Sequence, residues 1–121
     1  MTTGEVAKQL VELCNKGDYE GAINGLYGQE IVSVEPRAMG NVPAETTGLE
    51  GVRGKLKWWM DNHEVHSSKA IGPFVARDTF VVRFDIDVTD KNSGERMQLS
   101  EVGVYKVKDG KIVREEFLPM V

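Results

Sequence analysis

The chain has 121 residues, 40% hydrophobic and 28% charged, with 15 Lys and Arg against 19 Asp and Glu for a formal net charge of −4. That length suits one domain, spanning 1–121, with one proper core. The acidic balance, with no basic stretch denser than Arg53–Lys57, a single helix face, excludes a nucleic-acid footprint.

No apolar run approaches the roughly 18 residues of a membrane span, and Met1-Thr2-Thr3-Gly4-Glu5 lacks the basic start and apolar core of a signal peptide. The single cysteine, Cys14, makes no intrachain disulfide, so a cytoplasmic protein is expected. Thr2 and Glu5 are spaced as a capping box. Val6, Leu10, Leu13 and Cys14 then recur at helical spacing, which predicts a first helix over about 3–16. Gly17 ends it. Asp18 caps a second helix with Ala22, Ile23, Leu26 and Tyr27 on its apolar side, closed by Gly28. Residues 30–35 alternate Ile31 and Ser33 against Val32 and Val34 and read as a strand stopped by Pro36.

Residues 37–46 read as a long loop. Thr47 and Glu50 form a second capping box, and a third helix runs to Asn62 with Val52, Leu56, Trp59 and Met60 on one face. Gly51 and Gly54 within it point to a close approach of helix and sheet. From Val65 the period becomes two. Strands are predicted over about 65–72 (extendable through Val75), 79–89, 96–108 and 111–118, with turns at Asp90–Gly94 and Asp109-Gly110. Helices first and hairpins after argue an α+β fold: a curved antiparallel sheet wrapped around three N-terminal helices.

In the strand 79–89, Phe80, Val82, Phe84, Ile86 and Val88 share one face, and Arg83, Asp85 and Asp87 the other. The apolar row must face the helices, because three buried charges without partners would be costly. In 96–108 the row Met97, Leu99, Glu101, Gly103, Tyr105 and Val107 is assigned inward. Glu101 is then a carboxyl among apolar groups, and its pKa should rise. Such a group is either an acid–base catalyst or a structural carboxylate. Ligand contacts are expected from Trp58, Phe80, Val82, Phe84, Leu99 and Tyr105, with Trp58 at the pocket entrance or under the 37–46 loop. His63 is either a helix C-cap or a pocket residue shuttling protons. His63 and His66, three apart at a helix-to-strand junction, do not make a metal pair, and neither metal nor cofactor is expected.

This element order, with Asn15-Lys16-Gly17-Asp18 between two helices and Asp109-Gly110-Lys111-Ile112 before the last strand, resembles the nuclear transport factor 2-like superfamily, a cystatin-like α+β cone. Within it the chain resembles SnoaL-like polyketide cyclases and ketosteroid isomerase. The resemblance spans nearly the whole chain and implies a ligand cone and a homodimer through the outer sheet face. Ketosteroid isomerase carries its base just before a proline at the end of the first strand, where this chain has Glu35-Pro36. The positions matching its two oxyanion donors are Leu10 and Gly103, neither of which can donate; Glu101, one same-face step away, is the available replacement when protonated. Limonene epoxide hydrolase has an Arg-x-Asp on a strand, similar to Arg83-Phe84-Asp85, a match that requires both charges to face inward.

Two functions follow. One is a cofactor-free isomerase, cyclase or hydrolase acting on a small apolar metabolite, with Glu35, Glu101 and His63 as acid–base residues. The other is a non-catalytic module of the same fold that binds a ligand or a partner.

Overall fold

A computed structural model describes residues 1–120. The first capping box forms: Glu5 N–H donates to Thr2 Oγ1 and Thr2 N–H to the Glu5 carboxylate, opening α1 (Thr3–Asn15). Gly17, at φ +75°, turns the chain with no Cβ penalty, and Asp18 caps α2 (Tyr19–Leu26) by accepting from Gly21 N–H. The helix ends there, two residues before Gly28, because Tyr27 is already extended and starts β1 (Tyr27–Val34).

The 37–46 segment departs from a plain loop. It folds back so that Glu35 N–H donates to Ala44 O, and it ends in a short strand, β2 (Glu45–Thr47), paired antiparallel with β1. Thr47 is therefore in a strand, and the second capping box does not form. Gly48 takes the N-cap of α3 (Leu49–Asn62) without a side-chain bond. Gly51 faces the sheet closely, since a Cβ there would stand 2.8 Å from Thr46 Cγ2, whereas Gly54 faces open space. Met60, expected on the apolar face, is 42% exposed.

The remaining strands are β3 (His63–Ala76), β4 (Thr79–Asp90), β5 (Arg96–Lys108) and β6 (Lys111–Pro119). The sheet order is β2-β1-β6-β5-β4-β3, antiparallel throughout except for the parallel pair β1/β6. Register shifts within β3/β4 and β5/β6 mark irregularities of the bulge type, which bend and twist a sheet. Its concave face wraps the three helices. Phe80, Val82, Phe84 and Val88 are buried, while Arg83 and Asp85 lie outside and pair with each other at 3.0 Å. The apolar row faces the helices as expected, and the epoxide-hydrolase match fails because its two charges are on the wrong side of the sheet. Asn15 ties α1 to β3: Ala70 N–H donates to its Oδ1 at 2.8 Å, and its Nδ2 donates to Ala70 O at 3.1 Å.

Candidate functional site

Between the helices and the concave sheet lies a cavity of about 670 Å³. Its mouth is rimmed by Pro36, Arg37, Leu99 and Pro119, and its inner wall includes Leu10, Cys14 and Ile23. Cys14 is a buried free thiol whose pKa burial pushes up to about 12, so it is inert.

Strand register assembles the polar wall. Ser33 of β1 pairs with Glu115 of β6, Glu115 with Tyr105 of β5, and Tyr105 with Phe80 of β4, so these residues form one cross-sheet row. Toward the mouth a second row runs Pro119, Glu101, Phe84. Gly103 lies between the two rows. A Cβ there would stand 2.7 Å from the Tyr105 ring and 3.1 Å from Phe84, so the bare backbone lets Tyr105 lean along its strand. The ring stacks on Phe80 at 4.8 Å and meets Phe117 edge-on.

Glu115 is 4% exposed and takes hydrogen bonds from Tyr27 OH and, at 2.6 Å, from Ser33 Oγ. Ser33 Oγ in turn accepts from Lys55 Nζ at 2.8 Å, and Lys55 Nζ pairs with Glu35 Oε2 at 2.6 Å. Both members of that pair are nearly buried, with side chains 11% and 12% exposed, and the ammonium lies 5.3 Å from the centre of the Phe117 ring. Glu101 has no such partner among the described residues.

The result is three carboxyls against one inner cation. Burial pushes the Glu101 pKa up from 4.5 to about 7, with Glu35 and Glu115 adding to the rise and Lys55 opposing it. Glu115 is also raised, by burial first, against the pull of Ser33, Tyr27 and Lys55. Burial and the neighbouring Glu115 hold the phenols of Tyr27 and Tyr105 well above their usual range, so both stay neutral.

Of the residues expected at the site, Glu35, Glu101, Phe84, Leu99 and Tyr105 line the cavity. Four do not. His63 is turned into the α3–β3 junction: it stacks on Trp59 at 3.8 Å, and its Nδ1 donates to Trp59 O at 3.0 Å. It is a C-cap, not a cavity group. Trp58 lies against the 37–46 segment, 3.1 Å from where a Gly40 Cβ would be, while Trp59, the expected core residue, lines the cavity instead. Phe80 and Val82 are fully buried among the core residues, deeper than the cavity. His66 Nε2 meets Thr89 Oγ1 at 2.7 Å.

Lys55, Ser33, Tyr27 and Glu115 are the site residues that the sequence reading did not pick out. Lys55 carried a signal: Val52, Lys55, Leu56 and Trp59 have the i, i+3, i+4, i+7 spacing of a buried stripe. It therefore does not share a face with Arg53 and Lys57, which meet Asn24 and Asp61 at the surface.

The sequence pattern of the SnoaL-like domain matches residues 1–118. The chain belongs to the SnoaL-like domain family. A candidate SnoaL-like polyketide cyclase from Mesorhizobium loti, also called a carbohydrate phosphatase, is 45% identical and superposes with a TM-score of 0.90, covering 98% of this chain and 99% of that one. A cystatin-like protein from Xanthomonas campestris (16% identity, TM-score 0.81, 100% and 92% covered) and a candidate isomerase from Bacillus subtilis (20%, 0.78, 99% and 90%) share the fold. No functionally curated protein matches the sequence. As a SnoaL-like domain, the chain has the cone of this fold, and none of its helices is long and apolar enough to cross a membrane among the described residues.

Proposed function

We propose that this SnoaL-like domain holds a small apolar carbonyl compound in its cone and moves a proton on it. Glu101 is the acid–base group, and Lys55, held by Glu35, faces the oxygen that gains charge. The observation that carries the reading is Glu101, without a partner among the described residues, on the wall of a chiefly apolar cavity, where burial pushes its pKa up to about 7. A carboxyl titrating near the working pH takes a proton at one carbon and returns it at another, a contribution on the order of 10²–10⁴-fold. The electron pair left by the C–H bond moves to the carbonyl oxygen. Lys55 has three N–H donors, of which Glu35 and Ser33 take two, leaving one for that oxygen. Glu35, the base that the resemblance implies, is here assigned the task of holding Lys55, because its carboxylate is already engaged. Phosphoester chemistry is not adopted, since a phosphate would meet three carboxyls against Lys55, with Arg37 at the rim.

The test is deuterium incorporation into a panel of bicyclic ketones in D₂O at neutral pH. Incorporation above the buffer rate is expected, falling on the order of 10²-fold in Glu101→Gln. Ketones that raise the Tm without exchanging would sink the catalytic reading. They would support instead a non-catalytic ligand-binding module, which the engagement of Glu35 by Lys55 favours.

The same reading includes a cytoplasmic site of action, consistent with the free thiol of Cys14. It also includes a homodimer through the outer sheet face, where Phe74, Val81 and Val104 adjoin across three strands and Val102 pairs with Leu118. Phe74 and Leu118 are 63% and 43% exposed. Light scattering should give a dimer, and a monomer independent of concentration would remove this part of the reading.

A further inference from the structure

We infer that the cone selects an apolar ligand carrying a protonated amine, with its N–H groups received by the Glu101 carboxylate and the Tyr105 hydroxyl oxygen. The inference deepens the reading above and rests on it only in taking this cavity as the ligand site.

Three observations lead to it. The first is the Tyr105 hydroxyl. The residue is 2% exposed, and its hydroxyl has no hydrogen-bond partner among the described residues. Thr46 Oγ1 is the side-chain polar atom sealed away without a partner; the Tyr105 side chain instead lines the cavity, where a ligand can meet its hydroxyl. A polar group so buried is satisfied by what enters the cavity.

The second is charge. Glu35 and Arg37 face the cavity from the segment after β1, Lys55 from α3, Glu101 from β5 and Glu115 from β6; the lining residues of β3 and β4 (Val65, Ser68, Phe84 and Ile86) are uncharged. Inside the rim this leaves three carboxyls and one ammonium. Glu35 and Glu115 both act on Glu101 as like charges, against the single ammonium of Lys55. A region of negative potential with low-dielectric walls favours a cation. The third is the pair of rings beside Glu101, Phe84 and Phe117, tilted at 56° with centres 6.4 Å apart. The Phe117 ring already receives the Lys55 ammonium, and both rings line the cavity that a ligand ammonium would enter.

A carboxylate has two oxygens. One receives the N–H while the other remains free for the proton transfer proposed above, and a neighbouring ammonium keeps Glu101 in its basic form.

The experiment is calorimetric titration with matched pairs: naphthylmethylamine against naphthylmethanol, and aminotetralin against tetralol. At about pH 8 the amine should bind about tenfold more tightly or better, the scale of one hydrogen bond to a charged group. At about pH 5, where Glu101 is protonated, the gap should close to about twofold. Glu101→Gln should abolish the preference, Glu101→Asp should keep it, and Tyr105→Phe should narrow it. Equal binding within each pair at pH 8, no binding of either amine, or a preference intact in Glu101→Gln would overturn the inference. Deuterium exchange into neutral ketones is read separately, so either claim can fail while the other stands.

Discussion

Lys55→Met is expected to lower stability by about 3–5 kcal/mol, the cost of removing one partner from a buried ion pair. Lys55 and Glu35 are nearly closed off from water and 2.6 Å apart, and the same ammonium serves Ser33. Without it the Glu35 carboxylate keeps its burial and loses its cation, and the chain Ser33–Glu115–Tyr27 loses its outer donor. The pair Lys55→Met with Glu35→Gln should recover much of the loss, because an ion pair replaced on both sides leaves no orphan charge. Urea melts of both single variants and the double variant measure this. A single-variant loss under about 1 kcal/mol would show that the pair behaves as a surface salt bridge. Lys55→Met should also move the Glu101 pKa still higher, since Lys55 is the group that pulls it down.

The second large effect is on the pH dependence of stability. Below about pH 4.5, Glu101 is protonated in both the folded and the unfolded chain and contributes no difference. As pH rises the unfolded chain releases the proton first, while the native carboxyl holds it until about pH 7. Stability therefore falls across this window, by about 3 kcal/mol in total, and the loss is complete above the native pKa. Glu115, raised by burial as well, slopes in the same direction. Glu101→Gln removes the Glu101 share, so the variant should match the wild type near pH 4 and exceed it by about 3 kcal/mol near pH 8. Urea unfolding at stepped pH checks it. Parallel profiles for the two proteins would mean that Glu101 titrates as an ordinary solvated carboxylate, and the proposed acid–base role would go with it.

Much of the frame was legible because it depends on short spacings. The Thr2/Glu5 box and the Asp18 cap form as read, whereas Thr47 with Glu50, of the same spacing, is overridden by the pairing of β2 with β1. The alternation Phe80 to Val88 told inside from outside, and the row Met97 to Val107 placed Glu101 on the cavity wall. The errors fall where a residue's surroundings come from distant parts of the chain. Phe80 and Val82 share the inward face with Phe84, yet the core closes over them and the cavity begins further along the strand. Trp58 and His63 are taken up by the 37–46 segment and by each other, 5.8 Å edge to face, so neither reaches the cavity.

Glu115 marks the division most clearly. Simple alternation from the buried Ile112 would turn Arg114 and Glu116 inward. The β5/β6 register slips between Lys106 and Val107, so Ile112 and Glu115 both face the core while Arg114 pairs with Glu116 outside. A one-residue shift moves every later side chain to the other face, and such a shift is set by the partner strand and not by the residues that are moved. Period and capping, which are local, made legible the α+β class, the three helices and five longer strands, the apolar faces and the inward Glu101; Glu35 was implied by the resemblance, while the short strand β2 and the Gly48 cap were not legible. Packing in three dimensions brings Glu35 to Lys55, buries Glu115 behind Ser33 and Tyr27, and leaves Glu101 without a partner among the described residues. Those outcomes depend on which side chains the register and the helix packing bring within about 3 Å, the reach of a hydrogen bond.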